Sequence, residues 1–228
     1  PEVEVVGDLA HTLWMLNERN AKDPIHYDIA QHHHIREQML ADFAEYADDD
    51  TEGLIKPQKA LWDVREALGP EDILLSDVGA HKMWIARYYQ CHEPNTCLIP
   101  NGFCSMGFAL PGAIAGSLVY PDRRILSVCG DAGFLMNVQE MVTISKNNLP
   151  VKILNLKNSV LGMIRQWQEL FYDNHESYCD LKGGPDFIKM AEAFGFKALS
   201  ADEPDQVAGA IAEMLAADGP VFLDMAVA

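Results

Sequence analysis

The stretch that decides the fold is Val128 to Phe134, VCGDAGF, taken together with Leu156 to Val160, LKNSV. An apolar strand ends in Gly-Asp in the first segment, and an apolar strand ends in Asn in the second. Asn158 follows Asp131 by 27 positions (158 minus 131), so two oxygen ligands stand at neighbouring strand ends. Magnesium prefers oxygen ligands and completes a small protein ligand set with water and phosphate oxygens. The pattern predicts a diphosphate ligand held through a divalent metal ion.

An Asp after a strand also has a simpler interpretation as the cap of the next helix, because Asp is favoured at that position. The neighbouring Gly130 and Gly133, and Asn158 at the end of the next strand, favour metal binding instead. The backbone carbonyl of Val160, two positions after the Asn, can supply a third ligand. We therefore predict a metal site formed by Asp131, Asn158 and Val160.

The composition limits the classes of partner. Among 228 residues, 34 are acidic and 17 are basic, which gives a formal net charge of −17. This charge predicts no nucleic-acid and no membrane partner, since both surfaces are bound through clustered Lys and Arg. Few cations are available to neutralise a diphosphate, so a metal ion and helix N-termini are the expected sources of positive potential.

Cysteine usage and the chain ends predict the compartment. Five cysteines without a C-x-x-C pair predict free thiols in a reducing compartment, and the cytoplasm is the expected location. The sequence has no charged-then-apolar leader and no apolar run of membrane length, so neither a signal peptide nor a membrane span is predicted. The chain begins at Pro1 without a Met, which suggests a fragment.

Residues 1–18 are predicted to be the end of a preceding domain, with a strand at Val3–Val6 followed by a helix through Leu9, Leu13 and Leu16. Residues 19–55 are polar and are predicted to be a connector.

That connector contains a predicted helix from Ile35 to Tyr46, which His32–His34 and Asp48–Asp50 flank. The histidine run is interpreted as a solvated face, not a metal site, because adjacent side chains on a helix point in different directions.

Residues 56–228 predict an α/β domain with a doubly wound, mostly parallel sheet and helices on both faces, because apolar runs of strand length alternate with helix-length segments. In such sheets ligands bind outside the carboxyl ends of the strands, where Asp77, Asp131 and Asn158 fall. The predicted elements are helices at 57–69, 81–89, 107–119, 138–147, 161–170, 187–194 and 204–217, and strands at 73–76, 98–99, 125–129, 151–156, 197–199 and 221–226.

The stretch from Asn101 to Gly112 opens a helix with repeated glycines, which let the backbone approach a ligand closely. It does not match the dinucleotide-binding pattern G-x-G-x-x-G. Met106 within it suits either a core position or a thioether that faces a flat heteroaromatic ring. The residues alone leave both interpretations open.

From Gly53 to its end, the chain resembles the cofactor-binding C-terminal domain of thiamine-diphosphate enzymes, and specifically the catalytic subunit of acetohydroxyacid (acetolactate) synthase. Four segments carry the resemblance. They are Asp77–Trp84 (DVGAHKMW), Gly102–Pro111 (GFCSMGFALP), Gly130–Glu140 (GDAGFLMNVQE) and Leu161–Gln168 (LGMIRQWQ).

The resemblance implies thiamine diphosphate and Mg²⁺ as cofactors, with the metal on Asp131, Asn158 and the carbonyl of Val160. Met106 would lie under the thiazolium ring and hold the cofactor bent. Trp167 would line the substrate pocket, although a Trp packed on the core is the alternative. The implied cofactor-binding residues are Gly79, Ala80, His81, Ser105, Met106, Asp131, Ala132, Gly133, Asn158 and Met163.

The implied reaction decarboxylates pyruvate and condenses the product with a second 2-oxo acid, pyruvate or 2-oxobutyrate, in branched-chain amino acid biosynthesis. Two residues depart from the family pattern. Ala80 replaces a Gln that contacts the diphosphate, a loss of about 1 kcal/mol. Ala132 replaces a Gly, which is tolerable only where φ is negative.

In this family the Glu that protonates the aminopyrimidine belongs to an N-terminal domain that nothing in residues 1–228 resembles. We therefore expect half a site, completed by that pyrimidine-binding domain of the full-length enzyme or by a second subunit, in a homodimer or higher oligomer. The chain alone would bind metal and diphosphate weakly without turning over pyruvate. FAD accompanies many members, with contacts mainly from the preceding domain.

Three alternatives remain from the sequence. The first is another thiamine-diphosphate-dependent decarboxylase or carboligase, and the second is a non-catalytic cofactor-binding module. A dinucleotide-binding domain comes last, because its glycine fingerprint and ribose-binding acid are absent.

Overall fold

The computed structural model describes residues 2–26, 28–49 and 53–228. The chain forms two compact units, one up to Met39 and the other from Leu40 to Ala228. The predicted domain limits at residues 18 and 55 stay predictions. Within the described ranges, every helix is too short or too polar to cross a membrane.

The N-terminal unit begins differently from the prediction. The predicted strand at Val3–Val6 is wrong, since these residues have no regular structure. A strand needs a neighbour for its backbone N–H and C=O groups, and none pairs with this segment among the described residues. The predicted helix is present as α1 (Leu9–Lys22), which Asp8 caps by accepting a bond from the His11 backbone N–H at 2.7 Å.

Helix α2 (Ala30–Ala44) starts earlier than the predicted Ile35 and therefore contains His32–His34. All three histidines are exposed, as a solvated face requires. Of the acidic run predicted to flank this helix, Asp50 lies outside the described residues.

Six strands form one parallel sheet, which confirms the predicted α/β architecture. Its spatial order is β2-β1-β3-β4-β6-β5. The chain passes from β1 outward to β2 and then returns to the other side of β1 to form β3, so the switch point lies between β1 and β3. The strands are β1 (Ile73–Ser76), β2 (Cys97–Leu98), β3 (Ile125–Gly130), β4 (Lys152–Lys157), β5 (Lys197–Ala201) and β6 (Val221–Ala226).

Helices cover both faces of the sheet, because successive side chains of each strand point to opposite faces. The helices of this domain are α3 (Pro57–Ala67), α4 (Ala80–Tyr88), α5 (Ala109–Val119), α6 (Asp131–Met136), α7 (Met141–Asn147), α8 (Gly162–Phe171), α9 (Phe187–Ala193) and α10 (Val207–Ala216). Leu74 and Leu126 pack on one side with α3, α4 and α10, whereas Ile73 and Ile125 pack on the other with α5, α7 and α9.

The sequence analysis did not predict helix α6. The prediction starts a helix at residue 138, but α6 begins directly after β3 at Asp131. Helix α6 ends before Asn137, and a short 3-10 turn then leads into α7. The Asn137 side chain donates to the Gly107 carbonyl at 2.7 Å, a contact across 30 residues that local periodicity does not encode.

Close packing of α5 on β1 gives a stability prediction. A Cβ at Gly112 would lie 2.6 Å from Cδ2 of Leu75, a side chain buried in the core. We expect Gly112→Ala to lower the free energy of unfolding by about 1–2 kcal/mol, because overpacking outweighs the gain in helix propensity. Urea denaturation followed by circular dichroism measures the change.

The matched control is Gly209→Ala in α10, where an added Cβ meets nothing within 4 Å. There we expect a gain of about 0.5–1 kcal/mol, since Ala is the better helix former. Equal stability of the two variants would contradict the packing argument.

Candidate functional site

A cleft opens at the carboxyl ends of β1, β3 and β4, at the switch point of the sheet. It encloses about 730 Å³ of empty space including its open mouth, within the size range of small-molecule sites. Two predicted residues, Ser105 and Trp167, do not line it. The predicted residues that do are Gly79, Ala80, His81, Met106, Asp131, Ala132, Gly133, Asn158, Val160 and Met163.

Asp131 joins the two segments that the sequence singled out. It is the first residue of α6, and the N-cap of that helix is Gly130. Its Oδ2 accepts a bond from the Ser159 backbone N–H at 2.6 Å, and its Oδ1 lies 3.5 Å from Nδ2 of Asn155. The carboxylate therefore connects the end of β3 to the end of β4, and the interpretation as a helix cap is wrong.

The charges around Asp131 are unbalanced. Burial raises the pKa of Asp131, the Ser159 N–H bond opposes this shift, and the Asp224 carboxylate adds to it. Asp224 itself accepts bonds from Asn155 Nδ2 and Lys157 Nζ, both at 2.8 Å. Two buried carboxylates thus share one ammonium. A divalent cation beside Asp131 would balance this charge.

A tight turn holds Asn158 and Val160. The Asn158 Oδ1 accepts a bond from the Val160 backbone N–H at 3.2 Å, in an Asx-type turn. Between them, Ser159 has a φ of 58°, in the left-handed region that disfavours residues with a Cβ. The bond from Ser159 to Asp131 holds the turn in this conformation.

Two helices begin at the cleft without side-chain caps. The N-caps of α4 and α8 are Gly79 and Leu161, and neither makes a side-chain cap bond. The Lys82 N–H in α4 donates to the Gly79 carbonyl at 3.1 Å, and the earlier first-turn N–H groups of both helices are without a side-chain cap and suited to an anion. His81 adds Nε2, which is buried and has no hydrogen-bond partner among the described residues. These groups fit a diphosphate.

Burial of His81 predicts a pH dependence of stability. Burial lowers the pKa of His81 to about 4, although nearby Asp77 opposes the shift. Between this pKa and the usual value near 6.5, the unfolded chain binds a proton that the folded chain does not, so stability falls as the pH drops. When the pH falls from about 7 to about 5, His81 should lower the free energy of unfolding by about 2 kcal/mol.

Urea unfolding of the wild type and His81→Gln at both pH values measures this contribution. Gln cannot be protonated, so the variant should lose less stability on acidification. An identical pH dependence of the two proteins would contradict the assignment to His81.

Asp77 was noted at a strand end, but its role was missed. It is 1% exposed, and its Oδ1 accepts backbone N–H bonds from Val78 at 2.7 Å and Gly107 at 2.9 Å. Its Oδ2 accepts the Ala109 N–H at 2.9 Å. Asp77 thus fixes the segment that places Met106 in the cleft.

The position of Asp77 also explains Gly133. A Cβ at Gly133 would come within 2.7 Å of Asp77 Oδ1, so this position requires a glycine.

Residues 77–225 match the family model described as thiamine pyrophosphate enzyme, C-terminal TPP binding domain. The chain belongs to this family. Thiamine pyrophosphate is the thiamine diphosphate of the sequence analysis. The match covers well over half of the chain and includes all residues that line the cleft except Pro57, Val227 and Ala228.

Three curated relatives of this thiamine pyrophosphate domain are acetolactate synthases by name. The "Probable acetolactate synthase large subunit" of Methanococcus aeolicus is 38% identical over 76% of this chain and 30% of its own length. The mitochondrial acetolactate synthase of Schizosaccharomyces pombe is 33% identical over 100% of this chain and 34% of its own. The acetolactate synthase isozyme 2 large subunit of Escherichia coli K12 is 38% identical over 68% of this chain and 28% of its own length. The chain spans about a third of the length of these relatives.

The donor set of the thiamine pyrophosphate cleft fits a hard cation. The described residues contain no group of three or more His, Cys, Asp or Glu side chains that could hold a metal. An ion here would instead use the Asp131 carboxylate, the Asn158 amide oxygen and the Val160 carbonyl. Such a small set of oxygen donors is typical of Mg²⁺, which also draws on phosphate and water.

The structure accommodates both residues that depart from the family pattern. Ala132 lies inside α6 and is not among the residues with a positive φ, so its backbone conformation tolerates the methyl group. Ala80 Cβ would lie 3.0 Å from a Cβ at Gly162, so these two small residues allow α4 and α8 to approach.

Some predicted and missed residues lie apart from the cleft. Ser105 is exposed, and Trp167 is 57% exposed on α8, which has no buried residue. Their roles stay predictions. Asn155 and Asp224, which the sequence analysis overlooked, were detectable as polar residues flanked on both sides by apolar residues within predicted strands.

Proposed function

We propose that this chain is the cofactor-binding part of an acetolactate synthase large subunit and binds thiamine diphosphate through Mg²⁺. Asp131, Asn158 and the Val160 carbonyl hold the ion. The observation that carries the proposal is one cleft, at the switch point of the sheet, which combines these oxygen donors with two uncapped helix N-termini.

Each part of the cleft has a distinct task in this proposal. Asp131 supplies the negative charge for the ion, and Ser159 fixes its orientation. The backbone N–H groups in the first turns of α4 and α8, that of His81 among them, donate hydrogen bonds to the diphosphate oxygens. Met106 supports the ring system, held in place through Asp77. Val78, Leu161 and Ile164 add apolar lining that excludes water.

The bound cofactor supplies the electron sink that decarboxylation of a 2-oxo acid requires. We infer that the substrates are pyruvate and a second 2-oxo acid, pyruvate or 2-oxobutyrate, in branched-chain amino acid biosynthesis. The names of the curated relatives support this reaction. The pyrimidine-binding N-terminal domain of the full-length enzyme, or a second subunit, completes the site in a homodimer or higher oligomer. Use of FAD stays a prediction.

Calorimetric titration of thiamine diphosphate into this chain, with Mg²⁺ and with a chelator, tests the binding proposal. Binding should be measurable with Mg²⁺ and lost with the chelator. Binding of equal strength in both conditions would contradict a metal-mediated site.

Product analysis with pyruvate tests the reaction, on the protein that includes the upstream sequence. Acetolactate is expected, whereas acetaldehyde would favour a 2-oxo acid decarboxylase. The present chain alone should bind the cofactor without turnover. Acetolactate formation by this chain alone would contradict the hypothesis that it contains only half of the active site.

A further inference from the structure

A lysine and a cysteine outside the lining of the cleft lie in direct contact. Lys82 Nζ is 3.0 Å from Cys104 Sγ and donates to the Pro100 carbonyl at 2.6 Å. Lys82 belongs to α4 and is only 9% exposed, and Cys104 lies in the loop that precedes α5. The contact spans 22 residues, so the tertiary fold creates it.

The charge of Lys82 has no carboxylate counterpart. None of the ion pairs in the described part of the chain involves this lysine, and its ammonium donates its two hydrogen bonds to a carbonyl and a sulfur. A buried ammonium is costly to leave without a counter-charge. The contact places the lysine nitrogen directly beside the cysteine sulfur, so a bond between these two atoms needs little movement of either segment.

The sulfur is both fixed and accessible. Cys104 Sγ lies 3.4 Å from the Pro100 carbonyl as well as beside Lys82. Its backbone has a φ of 49°, in the left-handed region, so the surrounding contacts hold it in a conformation that costs energy. Cys104 is half-buried and follows three exposed residues, 101–103, which leaves a route for a small oxidant.

We propose that Lys82 and Cys104 form a modification site at which hydrogen peroxide links the lysine nitrogen covalently to the cysteine sulfur. In the first step the sulfur attacks a peroxide oxygen, the O–O bond breaks, the thiol proton goes to the leaving hydroxide, and sulfenic acid and water form. The Lys82 ammonium then gives one proton to solvent, the resulting amine nitrogen attacks sulfur, the S–O bond breaks, and the hydroxide leaves as water with a second proton from the amine. Counted from the thiol and the ammonium, the sulfur loses two electrons, the peroxide is reduced to water, and one proton is released to solvent.

The link would join two segments that continue into the cleft. Helix α4 starts beside Gly79, and the loop from Pro100 leads to Met106. A nitrogen–sulfur bond would fix these two segments to each other. Oxidation of the pair would therefore restrict the movement of the residues that line this side of the cleft. The chemistry itself needs no cofactor, and its test is therefore independent of the proposed function.

Peptide mapping by mass spectrometry after peroxide treatment of this chain tests the proposal. The expected product is one species that joins the Lys82 and Cys104 peptides, lighter than their sum by two hydrogen atoms and released by a thiol reductant. In Lys82→Arg the linked species should be lost, because a guanidinium does not act as the nucleophile, and dimedone should trap sulfenic acid at Cys104. Cys91→Ser, which removes an exposed thiol, should leave the link unchanged.

Three outcomes would overturn the proposal. Cys104 could be oxidised in the wild type while Lys82 remains a free amine, or both could stay unmodified while Cys91 reacts. A linked species with one additional oxygen would mean an oxygen-bridged bond and would exclude the direct one. The wild-type map decides among these results, so the conclusion does not depend on the folding of any variant.

Discussion

Asp131→Asn is expected to weaken Mg²⁺-dependent binding of thiamine diphosphate by at least about 100-fold, since changes to outer-shell residues of metal sites alone typically cost about 10–100-fold. Asn keeps the size of the side chain and an oxygen that can accept the Ser159 N–H bond. It removes the negative charge that a divalent ion requires. Titration calorimetry at a fixed Mg²⁺ concentration measures the loss.

Asp186→Asn is the matched control for this change. Asp186 also stands at a helix N-terminus, as the cap of α9, and it does not line the cleft. Asn caps helices as well as Asp does, so neither stability nor cofactor affinity should change appreciably. Unchanged, metal-dependent binding by Asp131→Asn would remove Asp131 from the metal site.

Asp77→Ala is expected to lower the free energy of unfolding by about 3–5 kcal/mol. The substitution leaves the buried N–H groups of Gly107 and Ala109 without an acceptor and removes the tie between β1 and α5. Urea denaturation measures the loss. Cofactor affinity should fall as well, because the segment that carries Met106 is then unanchored.

Asp72→Ala provides the comparison at the other end of β1. Asp72 also accepts two backbone N–H bonds, from Gly69 at 2.7 Å and Arg124 at 3.0 Å, but its side chain is partly exposed. Water can replace these bonds, so a loss of about 1 kcal/mol is expected. Equal losses in the two variants would show that burial of Asp77 does not matter.

Much of the fold was predictable because the domain from residue 56 follows simple periodic rules. Strands buried on both faces are nearly continuously apolar, so the bounds of β1 and β6 were predicted without error. The predicted strand at Val3–Val6 failed because apolar alternation does not guarantee a partner strand. Helix α6 was missed because the break at Asn137 depends on a hydrogen bond to distant Gly107.

The sequence by itself determined the sheet type and the three strands that directly precede Asp77, Asp131 and Asn158, because parallel strands must bring their carboxyl ends to one edge. Only the tertiary structure decided what each carboxylate does. Asp77 binds backbone N–H groups 30 and 32 residues away, whereas Asp131 reaches Ser159 and faces the cleft. Which donors meet which acceptors depends on how the crossover connections pack, and no local pattern of residues encodes that geometry.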